Sequence, residues 1–400
     1  MSKDVFIVNG ARTPMCEYEG SKTGDGRAGG ALGRVSAIDL AVVAAKEAMT
    51  RSDVSPDRID HVIFGNVMQT SADAIYGARH IGLKAGVPVP VPALTVNRLC
   101  GSGIQSVINA AEQIRLGEAR IVLAGGTENM SQAPHVLRGL RRGLRLGQGA
   151  LEDSLMVALL DSYSGLYMAQ TAEKLAKRYG VTREDQDVYA LRSHQSAQKA
   201  RENGVFAEEI VPVDVPGGGR VEHDDHMRMN TSLEQLAKLP PAFGKDGMVT
   251  AGNASGIVDG AAALVIADEG VVKEQQKKPL ARVVSWSTIG VDPSEMGFGP
   301  APAIRQVLEK SGMKLSQIDL FEINEAFAGQ YLAVEKDLGL ERDKVNVNGG
   351  AIALGHPLGA TGTRLLLTLA LELGRRRGHF GIASACIGGG QGIAMLIERV

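Results

Sequence analysis

The sequence predicts an α/β fold, and three observations carry that prediction. Short β-rich runs alternate with helical patterns along nearly the whole chain, the pattern left by strands joined through crossover helices. The chain has 400 residues, 44% of them apolar, which at about 100–200 residues per domain suffices for about two to four units with cores of their own. A faint repeat is also visible: Ser52-Asp-Val-Ser-Pro-Asp-Arg-Ile-Asp60 resembles Ser311-Gly-Met-Lys-Leu-Ser-Gln-Ile-Asp319, an offset of 311 − 52 = 259. Each copy leads into an apolar strand.

In chain order, residues 4–9, 61–65, 93–97, 120–124, 261–267 and 281–289 read as strands, mainly parallel. Between them Leu40, Val43, Ala44 and Ala48 recur at helical spacing, as do Ile104, Val107, Ile108, Ala111 and Ile114. The C-terminal part repeats the alternation, with strands at 344–348, 381–385 and 392–398 and a helix over 361–373. The 259-residue offset also carries the strand starting at Arg120 onto the one starting at His379. Two similar halves are therefore expected, 1–270 and 271–400, meeting near the polar run 274–278. Residues 130–180 and 201–247 fit neither pattern and read as an inserted, loop-rich subdomain of about 130–247. Within it, Arg138, Arg141, Arg142 and Arg145 make either a solvated loop or a contact for a phosphate-bearing ligand or a subunit neighbour.

Composition excludes several functions. Lys and Arg total 43 against 45 Asp and Glu, a net charge of −2, so nucleic acid and anionic membranes are poor partners. Apolar runs such as 260–267 fall far short of the roughly 20 residues of a membrane span, and residues 1–9 lack the regions of a signal peptide. A soluble, cytoplasmic chain is expected. The three cysteines, Cys16, Cys100 and Cys386, include no CxxC pair, which argues against a disulfide framework and a zinc site. The 50 glycines are spread along the chain and should mark tight turns and close backbone approaches.

Four constellations fall at expected strand C-termini, where ligands collect in open α/β sheets. In Asn97-Arg-Leu-Cys100-Gly-Ser-Gly103 a thiol sits where a helix begins, and the helix end favours the thiolate, lowering a cysteine to roughly 3.5–7.5. The same position also suits a small buried cysteine. Gly101-Ser-Gly103-Ile-Gln-Ser106 approaches the dinucleotide fingerprint, but its third glycine is Ser106 and no acid closes the next strand. In Gly355-His356-Pro, within a glycine-rich turn from Asn346 to Gly362, an imidazole can activate a thiol and donate to an oxyanion. Glu322-Ile-Asn324-Glu325-Ala-Phe327 ends one strand, and Cys386-Ile-Gly388-Gly-Gly-Gln-Gly392 ends another with N–H groups able to line an anion site. His223-Asp-Asp-His226 looks metal-like but reads as a charged loop, and Cys16 receives no role.

Together these motifs resemble the catalytic signatures of the thiolases, and Thr250-Ala-Gly-Asn-Ala-Ser255-Gly is similar to that family's CoA-binding loop. The match runs from residue 4 to 398 in the family's order and spacing. It implies two similar βαβαβαββ halves in a five-layered α-β-α-β-α arrangement. It further implies reversible cleavage of a 3-ketoacyl-CoA by free CoA, or the reverse condensation, by a ping-pong mechanism. On this resemblance Cys100 carries the acyl group as a thioester, His356 activates it, and Cys386 shuttles a proton at the acetyl α-carbon. One oxyanion hole joins His356 to a water held by Asn324, and the other uses the backbone N–H groups of Cys100 and Gly388. Arg228, Phe243 and Ser255 match CoA-contacting positions, with Ala251, Met168 and Phe327 beside them. CoA and acyl-CoA enter as substrates, no metal or permanently bound cofactor is implied, and the family forms dimers or tetramers.

Leu166-Tyr167-Met168-Ala169 stands where acetoacetyl-CoA-specific thiolases carry His-Met-Gly. That departure resembles the 3-ketoacyl-CoA thiolases of fatty-acid β-oxidation and implies acyl chains longer than acetyl; an acetoacetyl-CoA-specific acetyltransferase is the alternative. A ketoacyl-synthase-like enzyme would lack Cys386, a non-catalytic carrier would have lost a catalytic residue, and a Cys-His-Asn hydrolase would not need a CoA loop. Residues 17–36 are longer and more glycine-rich than the family norm, with no role assigned.

Overall fold

The computed structural model describes residues 3–144, 146–244, 246–275 and 278–400. Its centre is a sheet of ten strands: β1 (Val5–Arg12), β2 (Cys16–Glu17), β3 (His61–Gly65), β4 (Ala93–Val96), β5 (Ile121–Glu128), β6 (Val258–Asp268), β7 (Ala281–Gly290), β8 (Leu320–Ile323), β9 (Phe380–Ile387) and β10 (Gln391–Arg399). The order is β8-β9-β10-β7-β1-β6-β5-β3-β4, with β2 pairing β6 off this path. The helices that cover it are α1 (Ala37–Ser52), α2 (Gly77–Ala85), α3 (Ser102–Leu116), α4 (Met168–Arg178), α5 (Arg183–Glu202), α6 (Pro300–Ser311), α7 (Ala328–Leu338) and α8 (Leu358–Arg376).

The sheet is two half-sheets joined at one seam, where β1 meets β7 through only Phe6↔Arg282 and Ile7↔Ala281. Strand alternation then makes five layers. Leu264, Ile266, Val122 and Ala124 face inward with Ala385, Met395 and Ile397 onto α3 and α8, whose Ile104, Val107, Leu366 and Leu369 form the central core. The opposite faces, Leu123 and Val265 in one half, Ala394 and Leu396 in the other, pack under α1 and α2 and under α6 and α7 respectively. This is the thiolase-like α-β-α-β-α arrangement.

The repeat is written in the structure at the same offset. A 3-10 turn at Pro56–Arg58 has its counterpart at Leu315–Gln317. Asp60 then accepts from the N–H groups of Arg120 and Ile121, as Asp319 does from those of His379 and Phe380. The two central helices cross at equivalent glycines: a Cβ on Gly103 would lie 2.9 Å from Gly362 N, and one on Gly362 would lie 2.4 Å from Ile104 N. Only glycine lets the backbones come this close.

Three expectations are corrected. The sheet is mixed: only β3/β4, β3/β5 and β8/β9 are parallel. The turn at Gly388–Gly390 makes β9 and β10 a hairpin, and β1 enters between β6 and β7 without a crossover helix. Residues 344–348 are not a strand, because Asn346, at φ 46°, takes over the ladder's hydrogen bonds. Its side chain accepts from Ile323 N and donates to Ile323 O, both at 2.9 Å. The stretch read as loop-rich contains α4, and α5 follows it from a capping box of Thr182 and Asp185; Ala176 of α4 and Tyr189 and Ala190 of α5 join the core of the second half. Among the expected arginine cluster, Arg138 pairs with Glu152 at 2.8 Å, both solvent-accessible, Arg141 and Arg142 are exposed, and Arg145 lies outside the described residues.

Candidate active site

Strand β4 ends in a tight turn that presents Cys100. Asn97 Oδ1 accepts from Leu99 N at 3.0 Å, and Ser102 Oγ accepts from Arg98 N and donates to Leu99 O. These bonds hold Leu99 at φ 45°, a left-handed conformation unfavourable for leucine, one residue before the cysteine. Cys100 itself lies in the 3-10 turn Leu99–Gly101 that leads into α3. The residue is half-buried against the cluster of Met130, Leu155 and Leu358. The expected depression of its pKa is overturned: burial pushes the thiol up to about 11, although the Gly388 N–H bonded to its sulfur pulls the other way. The turn faces apolar side chains, and desolvation outweighs what a short helical end supplies.

His356 follows Gly355, which at φ 89° packs where a Cβ would strike Val258 at 2.3 Å. The ring is almost fully buried. Its Nδ1 lies 2.6 Å from Thr361 Oγ1, and that hydroxyl spends its single hydrogen on Pro357 O at 3.0 Å. Nδ1 therefore carries the proton and Nε2 the lone pair, which Asn324 Nδ2 approaches to 3.3 Å. Burial pushes His356 down to about 3, so the imidazole is neutral, with its lone pair at Nε2, throughout the physiological range. Asn324 is fully buried and its Oδ1 has no hydrogen-bond partner, an acceptor left open beside the ring. Cys386, 1% exposed, is packed with Met296, Ala326, Met168 and Phe327. Burial raises its thiol well above the ordinary value, and a negative charge on Cys100 raises it further.

These groups gather at one cavity of about 320 Å³. His356 reaches its wall, Cys100 packs on the wall residues Met130 and Leu358, and Cys386 packs on Met168 and Phe327. All six residues expected to contact CoA (Met168, Arg228, Phe243, Ala251, Ser255 and Phe327) line this same cavity. The loop that carries Ala251 and Ser255 is stitched to both neighbouring motifs: Ser255 N donates to Ala326 O, Ala328 N to Asn253 O and His356 N to Gly256 O.

The matching family models are "Thiolase, N-terminal domain" over residues 5–270 and "Thiolase, C-terminal domain" over residues 277–399. The chain belongs to the thiolase family. It is 52% identical over 400 residues to the human mitochondrial 3-ketoacyl-CoA thiolase, covering 99% of this chain and 98% of that one. It is 46% identical to an acetyl-CoA acetyltransferase of Cupriavidus necator, covering 99% of each. The crystal structure of the human mitochondrial enzyme in complex with CoA superimposes with a TM-score of 0.94 at 51% identity, over 100% of this chain and 98% of that one.

Several residues of this thiolase site gave no signal in the sequence. Tyr18, Met130, Met156 and Leu159 line the cavity, and Tyr18 belongs to the glycine-rich stretch to which no role was assigned. His223-Asp-Asp-His226 is a charged loop as expected, with His223 exposed and Asp224 and His226 buried. Asp224 takes two hydrogen bonds from the buried Arg12, and His226 contacts Glu17 through Nδ1 and donates from Nε2 to Ile352 O at 3.0 Å, filling the cavity wall. Nothing in the local sequence separates such a buried ionic segment from an exposed one.

Proposed function

We propose that this chain is an acyltransferase that cleaves 3-ketoacyl-CoA with free CoA, and runs the reverse condensation, through an acyl-thioester on Cys100. The observation that carries the reading is the gathering of the half-buried Cys100 thiol, the buried Cys386 thiol and a neutral imidazole around one apolar cavity lined by the residues expected to contact CoA. The Cys100 sulfur passes its proton to His356 Nε2 and bonds to the keto carbon. Collapse of the oxyanion breaks the bond between the keto carbon and the α-carbon, and Cys386 protonates the resulting acetyl-CoA enolate. In the second half, a CoA thiol gives its proton to the Cys386 thiolate and attacks the thioester. Cys100 then leaves and recovers its proton from His356. Because thiol and imidazole are both neutral at rest, the first proton transfer is concerted with attack rather than completed before it. The Gly388 N–H at the Cys100 sulfur and the open Oδ1 of Asn324, which can hold a water against His356, supply the two oxyanion sites. Burial makes the Cys386 thiolate unusually basic, a better match to a carbon acid.

Arg228, Phe243, Ala251, Ser255, Met168 and Phe327 hold the CoA arm in this reading. The apolar walls from Met130, Met156, Leu159 and Ile257 favour acyl chains longer than acetyl. The acetyltransferase relative from Cupriavidus necator supports the alternative of acetoacetyl-CoA specificity. The reading also includes the two-half division at residue 270, a homo-oligomer of two or four chains, and a cytoplasmic enzyme. No helix among the described residues is long and apolar enough to cross a membrane. The test follows CoA-dependent loss of 3-ketoacyl-CoA over a series of chain lengths. Wild type is expected to turn over several lengths and to form a covalent acyl adduct that Cys100→Ala loses. Turnover confined to acetoacetyl-CoA selects the alternative, and an adduct persisting in Cys100→Ala removes Cys100 as the nucleophile.

A further inference from the structure

The proposed mechanism leaves one buried acid unused. Glu128, the last residue of β5, is fully buried, and both its oxygens are filled by donors from two separate segments. Oε1 accepts from Asn66 Nδ2 and Met68 N, both at 3.0 Å, and Oε2 accepts from Val67 N at 3.1 Å and Gly359 N at 3.0 Å. Gly359 opens α8 three residues after His356 and two before Thr361, whose hydroxyl fixes the imidazole. On the other side, Val67 O accepts from Asn97 Nδ2, and Asn97 Oδ1 accepts from Leu99 N next to Cys100. One carboxylate thus links the turn that carries the imidazole to the turn that carries the thiol. The backbone around it leaves no room for a substitute: a Cβ on Gly126 would lie 1.8 Å from Gly359 O, and one on Gly359 would lie 2.5 Å from Thr127 O.

We propose that Glu128 is a positioning residue that holds the Cys100 turn and the His356 turn at the separation proton transfer between them requires. The inference rests on the Cys100–His356 reading above. All four partners of Glu128 are N–H donors, so a proton on the carboxyl would displace one of them; burial pulls the group up to about 7 against these donors, and it is ionised at pH 8, where the test is run. Its charge also opposes formation of the Cys100 thiolate. Glutamate at this site therefore does two separable things, aligning the pair and adding its charge to the burial that keeps the resting thiol protonated. A residue needed only for stability would do neither.

The test is Glu128→Gln in the full chain. An amide NH₂ in place of one oxygen meets two N–H donors, so the alignment is lost, and the opposing charge is lost with it. The expected result is kcat for thiolysis lowered at least tenfold with KM for CoA within about twofold, because the CoA-lining residues lie on other segments. Alkylation of Cys100 by iodoacetamide at pH 8 is expected to become severalfold faster. Partial unfolding would also lower turnover and expose the thiol, but it would raise KM for CoA and broaden the thermal transition, so an unchanged KM and a cooperative transition assign the result to Glu128. Unchanged kcat overturns the proposal, as does a parallel change of kcat and alkylation. If Glu128→Gln fails to fold, Asn97→Ala, at the accessible end of the same relay, decides: a tenfold lower kcat supports the proposal and full kcat overturns it. Wild type run alongside separates the two ideas, since no acyl adduct on wild-type Cys100 would defeat the thiolase reading itself.

Discussion

At Cys100 and His356 two physical effects compete, and burial wins at both. The thiol is pushed up to about 11 and the imidazole down to about 3, so the resting pair is neutral and not a thiolate–imidazolium ion pair. The sign of the pH dependence follows. Below about 11 the thiolate fraction grows tenfold per pH unit, and His356 does not titrate anywhere above pH 5. Iodoacetamide modification of Cys100 in the substrate-free protein is therefore expected to accelerate steadily from pH 7 to 10. Rates that level off near pH 7–8 would show a preformed ion pair instead. The identity of these residues was legible in the sequence because acyl transfer to a thiol needs particular residue types at strand ends, and glycines around them leave a written trace. Their protonation was not, since the rule for a thiol at a helix end takes no account of Met130, Leu155 and Leu358 closing over it. Thr361 and Glu128 were illegible for a similar reason: Glu128 acts on Gly359, 231 residues away, and no local pattern records that contact.

Among the elements, the crossing of α3 and α8 is what places both turns at one end of the molecule. Each helix begins just after its chemical residue, so a close crossing near their N-termini brings Cys100 and His356 to the same cavity. Gly103→Ala tests this directly. Alanine would favour the helix by up to about 1 kcal/mol, but its Cβ would sit 2.4 Å from Thr363 N, and backbone there cannot move aside without shifting α8. Overpacking of this kind typically removes about 1–3 kcal/mol, so the net effect is a loss of stability with reduced kcat. Gly374→Ala, in the same helix α8 with open space around it, is the control and should be neutral or slightly stabilising. Equal urea midpoints for the two variants would contradict the crossing as drawn. The helices themselves were readable from their periodicity. The misread element, 344–348, failed because a single asparagine side chain can imitate a strand neighbour, and an apolar run does not reveal which of the two supplies the hydrogen bonds.

At the scale of the whole molecule, burial has left four carboxyls among the described residues with raised pKa values: Glu322 at about 8, Glu128 at about 7, and Asp225 and Asp259 at about 6. Glu322 is raised although Arg364 Nη1 lies 3.0 Å away, because neither partner of that pair sees water. A group whose folded pKa is raised contributes stability that is full below its unfolded value, near 4, and is lost as the pH climbs through 6–8. His194 and His356, both lowered to about 3, act in the opposite sense. Their contribution is full above about 6.5 and is lost as the pH falls toward 3. Between pH 8 and 5 the four carboxyls take up more protons in the folded state than the two histidines take up in the unfolded state, so acidification favours folding. Below about pH 4 the carboxyls are protonated in both states and only the histidine term remains, with the hydrogen-bonded surface carboxylates adding to it. The urea midpoint is therefore expected to rise from pH 8 to about pH 5 and to fall steeply below pH 4. A midpoint that declines monotonically from pH 8 to 5 would mean that these acids are ionised in the folded protein, and that the N–H donors around Glu128 and Asp259 outweigh their desolvation.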